Sequence, residues 1–283
     1  MIIHSAPKEI NEIDIYKYNY SFCTLVNNLD EYHDMVSAFQ AKGFGSDDCE
    51  FLYIDNSNGN KYESYGGYNI FLRRAKGKYI ILCHQDILPI EDGRGHLDRL
   101  LVNLTAHDPN WGLCGNAGSA DNNQIAYRIS DPALGDGSKG GPFPFAVMNL
   151  DENFIIARND ANLAVSRDLS GFHWYGSDLC LVADFLGWSS YVIDFHIYHK
   201  SAGYQDKTYH QIRRDLAKKY SRAFRPRWYY AIGTQTHFPT YLSGSFIEFL
   251  KSITYKIPII SFFSLYKSRI MRGFAKLINL IVK

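Results

Sequence analysis

His84 and Asp86 are two metal-competent side chains at the end of an apolar run, Tyr79 to Cys83. Gly77 bounds that run upstream and Pro89 downstream, which suits a central strand covered on both faces. If the extended conformation continues through Asp86, both side chains point to the same side. The end of such a strand, at the edge of an α/β sheet, is where these folds bind ligands. A hydrogen-bonded turn after a core strand accounts for the same residues equally well. Two further groups could do chemistry. His196 and His199 lie three apart after a second apolar run, a weak metal signal by itself. Phe172, His173, Trp174 and Tyr175 make an aromatic wall just before Asp178, at the start of a helical pattern. There Ser177 or Asp178 could instead cap the helix.

The elements that must position these residues alternate. Ser21 to Val26 reads as a strand that ends at Asn27-Asn28. Glu31 to Ala41 has apolar residues at helical spacing, and Gly43 and Gly45 stop it. Glu50 to Ile54 is a second strand, ending at Asp55-Asn56-Ser57. Tyr68 to Ala75 is helical and leads through Gly77 into the strand that ends at His84. Strand, helix, strand, helix, strand predicts a parallel α/β sheet whose polar strand ends converge on one edge. Further on, Leu97 to Leu104 reads as a helix, and Trp111 to Cys114, Val147 to Leu150, Phe154 to Ala157 and Tyr191 to Ile193 as strands. Helices follow over Leu179 to Leu186 and Tyr209 to Phe224. Residues 129–144 are rich in Gly and Pro and read as a long, mobile loop.

Composition excludes several classes. A net charge of +1 over 283 residues offers no electrostatic case for nucleic acid. There is no GxGxxG after the first strand and no GxxxxGK[ST], which argues against a dinucleotide fold of the usual kind and a P-loop. Five cysteines without a CxxC pair fit neither a disulfide scaffold nor a structural zinc site. The N-terminal residues lack the pattern of a signal peptide, so a cytoplasmic protein is expected.

Several segments together resemble GT-A-fold glycosyltransferases of the family 2 type, and more closely the bacterial capsule and surface-polysaccharide subgroup. They are Tyr68-Asn69, Ala75 to Tyr79, His84-Gln85-Asp86, Leu150-Asp151-Glu152, Phe172 to Leu181, and His199. The resemblance covers roughly residues 20 to 205. It implies a mixed, mostly parallel central sheet flanked by helices, with a catalytic domain over 1–240. It also implies a metal-dependent, inverting transfer of a sugar from a nucleotide-diphosphate donor, expected to be a UDP-sugar, to a glycan or lipid-linked glycan. The family holds Mn2+ or Mg2+ with a DxD signature; here His84 replaces the first Asp and Asp86 stands for the second. Asp86 and His199 are the expected metal ligands, with His84 as a further candidate. By the same resemblance Asp178 is the general base, with Asp151 in reserve or on the donor sugar. Asp55 would contact the base or ribose, with Asn27 and Asn69 sharing that pocket, and the aromatic wall would take the acceptor. The alternatives are a catalytically silent nucleotide- or sugar-binding module at the membrane, and a nucleotidyltransferase.

The C-terminal residues, 241–283, differ in kind. From Ser245 onward seven basic residues face one acid, Glu248, a net +6 that leaves −5 for the rest of the chain. Ile270, Phe274, Leu277, Ile278 and Ile281 recur on one helical face. A basic amphipathic helix lying on the inner face of the cell membrane is the expectation. A helix packed on the catalytic domain is its rival.

Overall fold

The computed structural model describes residues 9, 16–120, 124–132, 135, 137–201, 206–225, 227–232 and 234–238. Two compact units divide the chain, 1–216 and 217–283. The first opens with β1 (Tyr18–Val26), α1 (Leu29–Phe39), β2 (Cys49–Asp55), α2 (Ser64–Arg74) and β3 (Gly77–Cys83). Then come β4 (Ile87–Pro89), α3 (Arg94–His107), β5 (Trp111–Gly115), β6 (Ala117–Ser119), β7 (Ile125–Ser130) and β8 (Ser138–Lys139). β9 (Phe145–Val147), β10 (Asn149–Leu150), β11 (Phe154–Arg158), α4 (Tyr175–Phe185), β12 (Ser189–Val192) and β13 (Ile197–His199) follow. The chain then enters α5 (Lys207–Ala223). In the second unit β14 (Arg227–Ala231) and β15 (Thr234–Phe238) form an antiparallel hairpin. The expected amphipathic tail over 241–283 lies outside the described residues. No helix among the described residues is long and apolar enough to cross a membrane.

A seven-stranded sheet flanked by helices forms the centre of the first unit, in the order β2-β1-β3-β11-β5-β12-β9. The alternation of the first ninety residues does produce parallel neighbours, β1 with β2 and β1 with β3. β5 and β12 also run parallel, but β11 lies antiparallel between β3 and β5, and β9 runs antiparallel to β12. Five of the seven strands, β2, β1, β3, β5 and β12, therefore run one way and β11 and β9 the other, which is the mixed, mostly parallel sheet expected.

Local chemistry explains the elements that reach the site. Asn28 caps α1 by accepting from the amides of Asp30 (3.1 Å) and Glu31 (3.3 Å), and both acids sit in the first turn. Tyr32, Met35 and Phe39 form the buried face of α1. Gly77 lets β3 start close against β1: a Cβ there would meet the Ser21 amide nitrogen and hydroxyl at 2.6 Å. Phe22 stacks on Phe51 at 4.7 Å and meets Phe39 at 4.8 Å, within a core that also holds Ile81, Phe154 and Ile156. Each such side chain taken fully from water contributes about 1.5–3 kcal/mol, which is what holds the strand ends in register at the sheet edge.

A second sheet runs β10-β6-β7-β13-β4, with β8 on β7. It overturns part of the long loop expected over 129–144. Ile129 and Ser130 end β7, and Ser138–Lys139 pairs back on Tyr127 and Arg128. The glycines here permit close backbone approach: a Cβ on Gly137 would lie 2.3 Å from the Ile129 carbonyl oxygen.

Candidate functional site

The extended conformation does not continue past Cys83. Residues 84–86 leave the sheet in a turn, and β4 begins at Ile87. The His84 amide donates to the Asn153 carbonyl at 3.0 Å, which fastens the turn to the segment ahead of β11. His199 reaches the same place through β-pairing. β13 runs antiparallel to β4 and sets His199 opposite Ile87, one residue after Asp86, and the Lys200 amide donates to the Asp86 carbonyl at 2.9 Å. His199 Nε2 then lies 3.2 Å from Asp86 Oδ1 and 3.4 Å from His84 Nδ1. One ligand atom from each of the three residues lies within 4.8 Å of the other two.

The electrostatics of this cluster suit a cation. Burial lowers the His84 pKa and the neighbouring His199 lowers it further, which favours the neutral ring that a metal needs. Burial alone would raise Asp86, but the hydrogen bond from His199 and the charges of both histidines outweigh it and hold the carboxyl below its usual range. For His199, burial pulls down and the hydrogen bond and charge of Asp86 pull up; the carboxylate wins and the pKa rises. A divalent cation among the three side chains would compete with the His199 proton. The donor set, two imidazole nitrogens and a carboxylate oxygen, fits Mn2+ better than Mg2+, which prefers oxygen ligands.

The cluster forms part of the wall of a cavity of about 900 Å³. Asn27 and Asn56, at the ends of β1 and β2, line one side, and Asp131 at the end of β7 lines another. Asp151, Glu152 and the aromatic side chains of Phe172, His173, Tyr175 and Tyr209 complete the surround. Gln85 braces the strand ends: its carbonyl oxygen accepts from the Asn27 amide at 2.8 Å, and its amide donates to Asn27 Oδ1 and Glu31 Oε2. Asp151 is exposed, with Oδ1 accepting from the Asn153 amide at 3.0 Å. Burial pushes the Glu152 carboxyl up to about 8, against an opposing hydrogen bond from the Gly176 amide to Glu152 Oε1 at 3.2 Å.

Of the residues singled out in the sequence, His84, Asp86 and His199 meet in one cluster whose ligand atoms could hold a metal ion. Asn27, Asp151, Phe172, His173 and Tyr175 line the same cavity. Four others are not among its lining residues. Asp55 accepts from the amide and hydroxyl of Ser57 at 2.9 and 2.6 Å. Asn69 spends its side chain on the Val165 backbone, donating at 2.9 Å and accepting at 3.1 Å. Trp174 takes a left-handed backbone (φ 65°) and lays its ring 5.1 Å from Tyr209. Asp178 is fully buried, and its two oxygens accept from the Ser166 amide at 2.6 Å and the Ser166 hydroxyl at 2.7 Å. Asp178, expected as the general base, is thus held by Ser166 and lies off the cavity lining, whereas a base needs hydrogen-bond reach of the acceptor hydroxyl. Asp178→Asn is therefore expected to lower stability by about 1–3 kcal/mol, the cost of a lost buried acceptor, as read by urea denaturation. Cation and nucleotide binding should stay at the wild-type level.

Glu152, Tyr68, Asp131 and Tyr209 also line the cavity. Glu152 carried a signal, since it adjoins Asp151. Nothing in the sequence marked Asp131, whose place follows from the pairing of β7 with β13.

No family model matches the chain. Among solved structures it is similar to the mannosyltransferase PcManGT from Pyrobaculum calidifontis, determined with GDP-Man and Mn2+ (12% identity, TM-score 0.46, 77% of this chain and 67% of that one). It is similar also to S. aureus TarS 1–349 in complex with UDP-GlcNAc (11%, TM-score 0.46, 71% and 66%) and to GalNAc-T7 with UDP, GalNAc and Mn2+ (7%, TM-score 0.45, 66% and 45%). At those identities and scores none of the three assigns an activity. A curated relative is much nearer in sequence: the "ATP synthase subunits region ORF 6" protein of Fuscovulum blasticum is 36% identical over 225 residues, 77% of this chain and 90% of that protein. At that identity and coverage, the chain belongs to the family of the Fuscovulum blasticum ORF 6 protein.

Proposed function

We propose that this chain is a metal-dependent glycosyltransferase of the GT-A type. In this reading it transfers a sugar from a nucleotide-diphosphate donor, a UDP-sugar, to a hydroxyl of a glycan or lipid-linked glycan of a surface polysaccharide. The observation that carries the reading is the convergence of His84, Asp86 and His199 in the wall of one cavity, where the turn after β3 meets the end of β13. Mn2+ or Mg2+ held there would neutralise the charge that builds on the departing diphosphate. Asn27 and Asn56 sit where a nucleoside would be received. The aromatic shelf of Phe172, His173 and Tyr209 offers apolar faces to a sugar.

The chain's own acids do the proton work. The acceptor hydroxyl must lose its proton as its oxygen attacks the anomeric carbon and the nucleoside diphosphate leaves with the bonding pair. Glu152 is the carboxylate assigned to take that proton. It lines the cavity, one oxygen is held by the Gly176 amide, and its raised pKa makes it a stronger base than an ordinary carboxylate. Asp151 is left to orient the donor sugar. A single displacement of this kind inverts the anomeric centre. The segment 241–283 would bring the enzyme to an anionic membrane.

Calorimetric titration of the chain with UDP and with GDP, in Mn2+ and in excess chelator, tests the metal-dependent reading. Nucleotide binding is expected in Mn2+ and should be lost with chelator. Equal affinity in both would refute it.

A further inference from the structure

We propose that Tyr175 is a positioning residue that holds His84 in its Nε2–H tautomer and so commits Nδ1 to the cation. The inference rests on the metal reading above, but its first half stands on hydrogen-bond accounting alone. Tyr175 begins α4 and Tyr68 lies on α2. Both are almost fully buried, and their rings pack at 4.5 Å. Three groups surround the Tyr175 hydroxyl. The Glu152 carbonyl oxygen lies at 2.9 Å, the Tyr68 hydroxyl at 3.2 Å and His84 Nε2 at 3.2 Å.

A phenol has one hydrogen to give and two lone pairs with which to accept. The Glu152 carbonyl can only accept, so the Tyr175 hydrogen goes to it. The Tyr175 oxygen then accepts from the other two neighbours. Tyr68 gives its O–H, and His84 must present a hydrogen on Nε2. In a neutral imidazole the other nitrogen then carries the lone pair. That nitrogen, Nδ1, is the one 3.4 Å from His199 Nε2 in the ligand cluster. With its tautomer and ring orientation both held, His84 is presented as a ligand before any cation arrives. The backbone shares in this arrangement: the residue that receives the Tyr175 hydrogen, Glu152, precedes Asn153, whose carbonyl accepts from the His84 amide. The Tyr175 hydroxyl is thereby engaged inside the protein, which takes it out of the acceptor-binding role expected from the aromatic wall.

The test uses the full chain labelled with ¹⁵N-histidine. Ring ¹⁵N shifts of His84, assigned by their loss in His84→Gln, are read at a pH where the ring is neutral. Mn2+ affinity of the unlabelled chain is measured by water-proton relaxation without nucleotide. Wild type is expected to show Nε2–H. In Tyr175→Phe the ring should become a mixture of tautomers and the Mn2+ dissociation constant should rise by about 10–100-fold, the usual cost of a lost outer-sphere partner. In Tyr68→Phe, Tyr175 keeps its bonds to His84 and Glu152, so tautomer and affinity should stay within a few-fold of wild type. An Nδ1–H ring in wild type overturns the proposal whether or not any variant folds, and so does an unchanged dissociation constant in folded Tyr175→Phe. A wild-type chain with the Nε2–H ring but no affinity for Mn2+ overturns the metal reading, and the role given to Nδ1 with it.

Discussion

His199→Ala is expected to remove Mn2+ binding almost entirely. The loss should exceed the roughly 10–100-fold that follows removal of an outer-sphere partner, because a direct donor is deleted. It also strands the Asp86 carboxylate, which is partly buried and depends on His199 for its principal hydrogen bond. Asp86→Asn should act alike on the cation, since it removes the only anionic ligand of the three. Asp86 lies in the turn and His199 at the end of β13, both outside the aromatic core, so the fold should persist. Nucleotide titration in Mn2+ should then resemble the wild-type titration in chelator. If either variant binds Mn2+ and nucleotide as wild type does, the three side chains are a hydrogen-bonded cluster and nothing more.

Glu152→Gln is the second change with a large expected effect, and it separates chemistry from stability. Glutamine keeps an oxygen for the Gly176 amide but cannot take a proton. Transfer should fall by about 10²–10⁴-fold, the usual contribution of general base catalysis, with donor binding retained. In wild type the working form is the carboxylate, and burial holds that group protonated until about pH 8. The rate should therefore rise with pH and level off above about 8. Stability moves the other way. The unfolded chain releases this proton near the ordinary glutamate value of about 4.3, while the folded chain keeps it to about 8. Between those values the folded state binds more protons than the unfolded one, so the group destabilises the fold progressively as pH rises. Glutamine does not titrate, so the variant should melt above wild type at pH 8–9 and close to it near pH 4. A flat rate profile, or a variant less stable than wild type at pH 9, would sink the assignment.

Local patterning determined the parts of this protein that depend on neighbours in sequence. The apolar run before His84 forms a buried strand because its consecutive apolar side chains alternate onto the two covered faces of the sheet. Asn28 ends one element and caps the next because its side chain serves the free amides of α1. Tyr32, Met35 and Phe39 face the core because their spacing puts them on one side of a helix. His84, Asp86 and His199 were recognisable as metal-competent residue types at strand ends.

Tertiary structure decided which of these residues meet. His199 joins Asp86 only through the register of β13 on β4; a slip of one residue would turn its side chain to the other face of the sheet. Asp178 has the residue type and helical position of a base, yet the loop at Ser166 folds over it and consumes both oxygens. Glu152 acquires a raised pKa only when α4 is packed above it. Asp131 enters the cavity wall through the pairing of β7 with β13. Residue type and local spacing are properties of a short stretch of chain. Burial, hydrogen-bond partners and strand register depend on which distant segments pack together, and no local pattern encodes that choice.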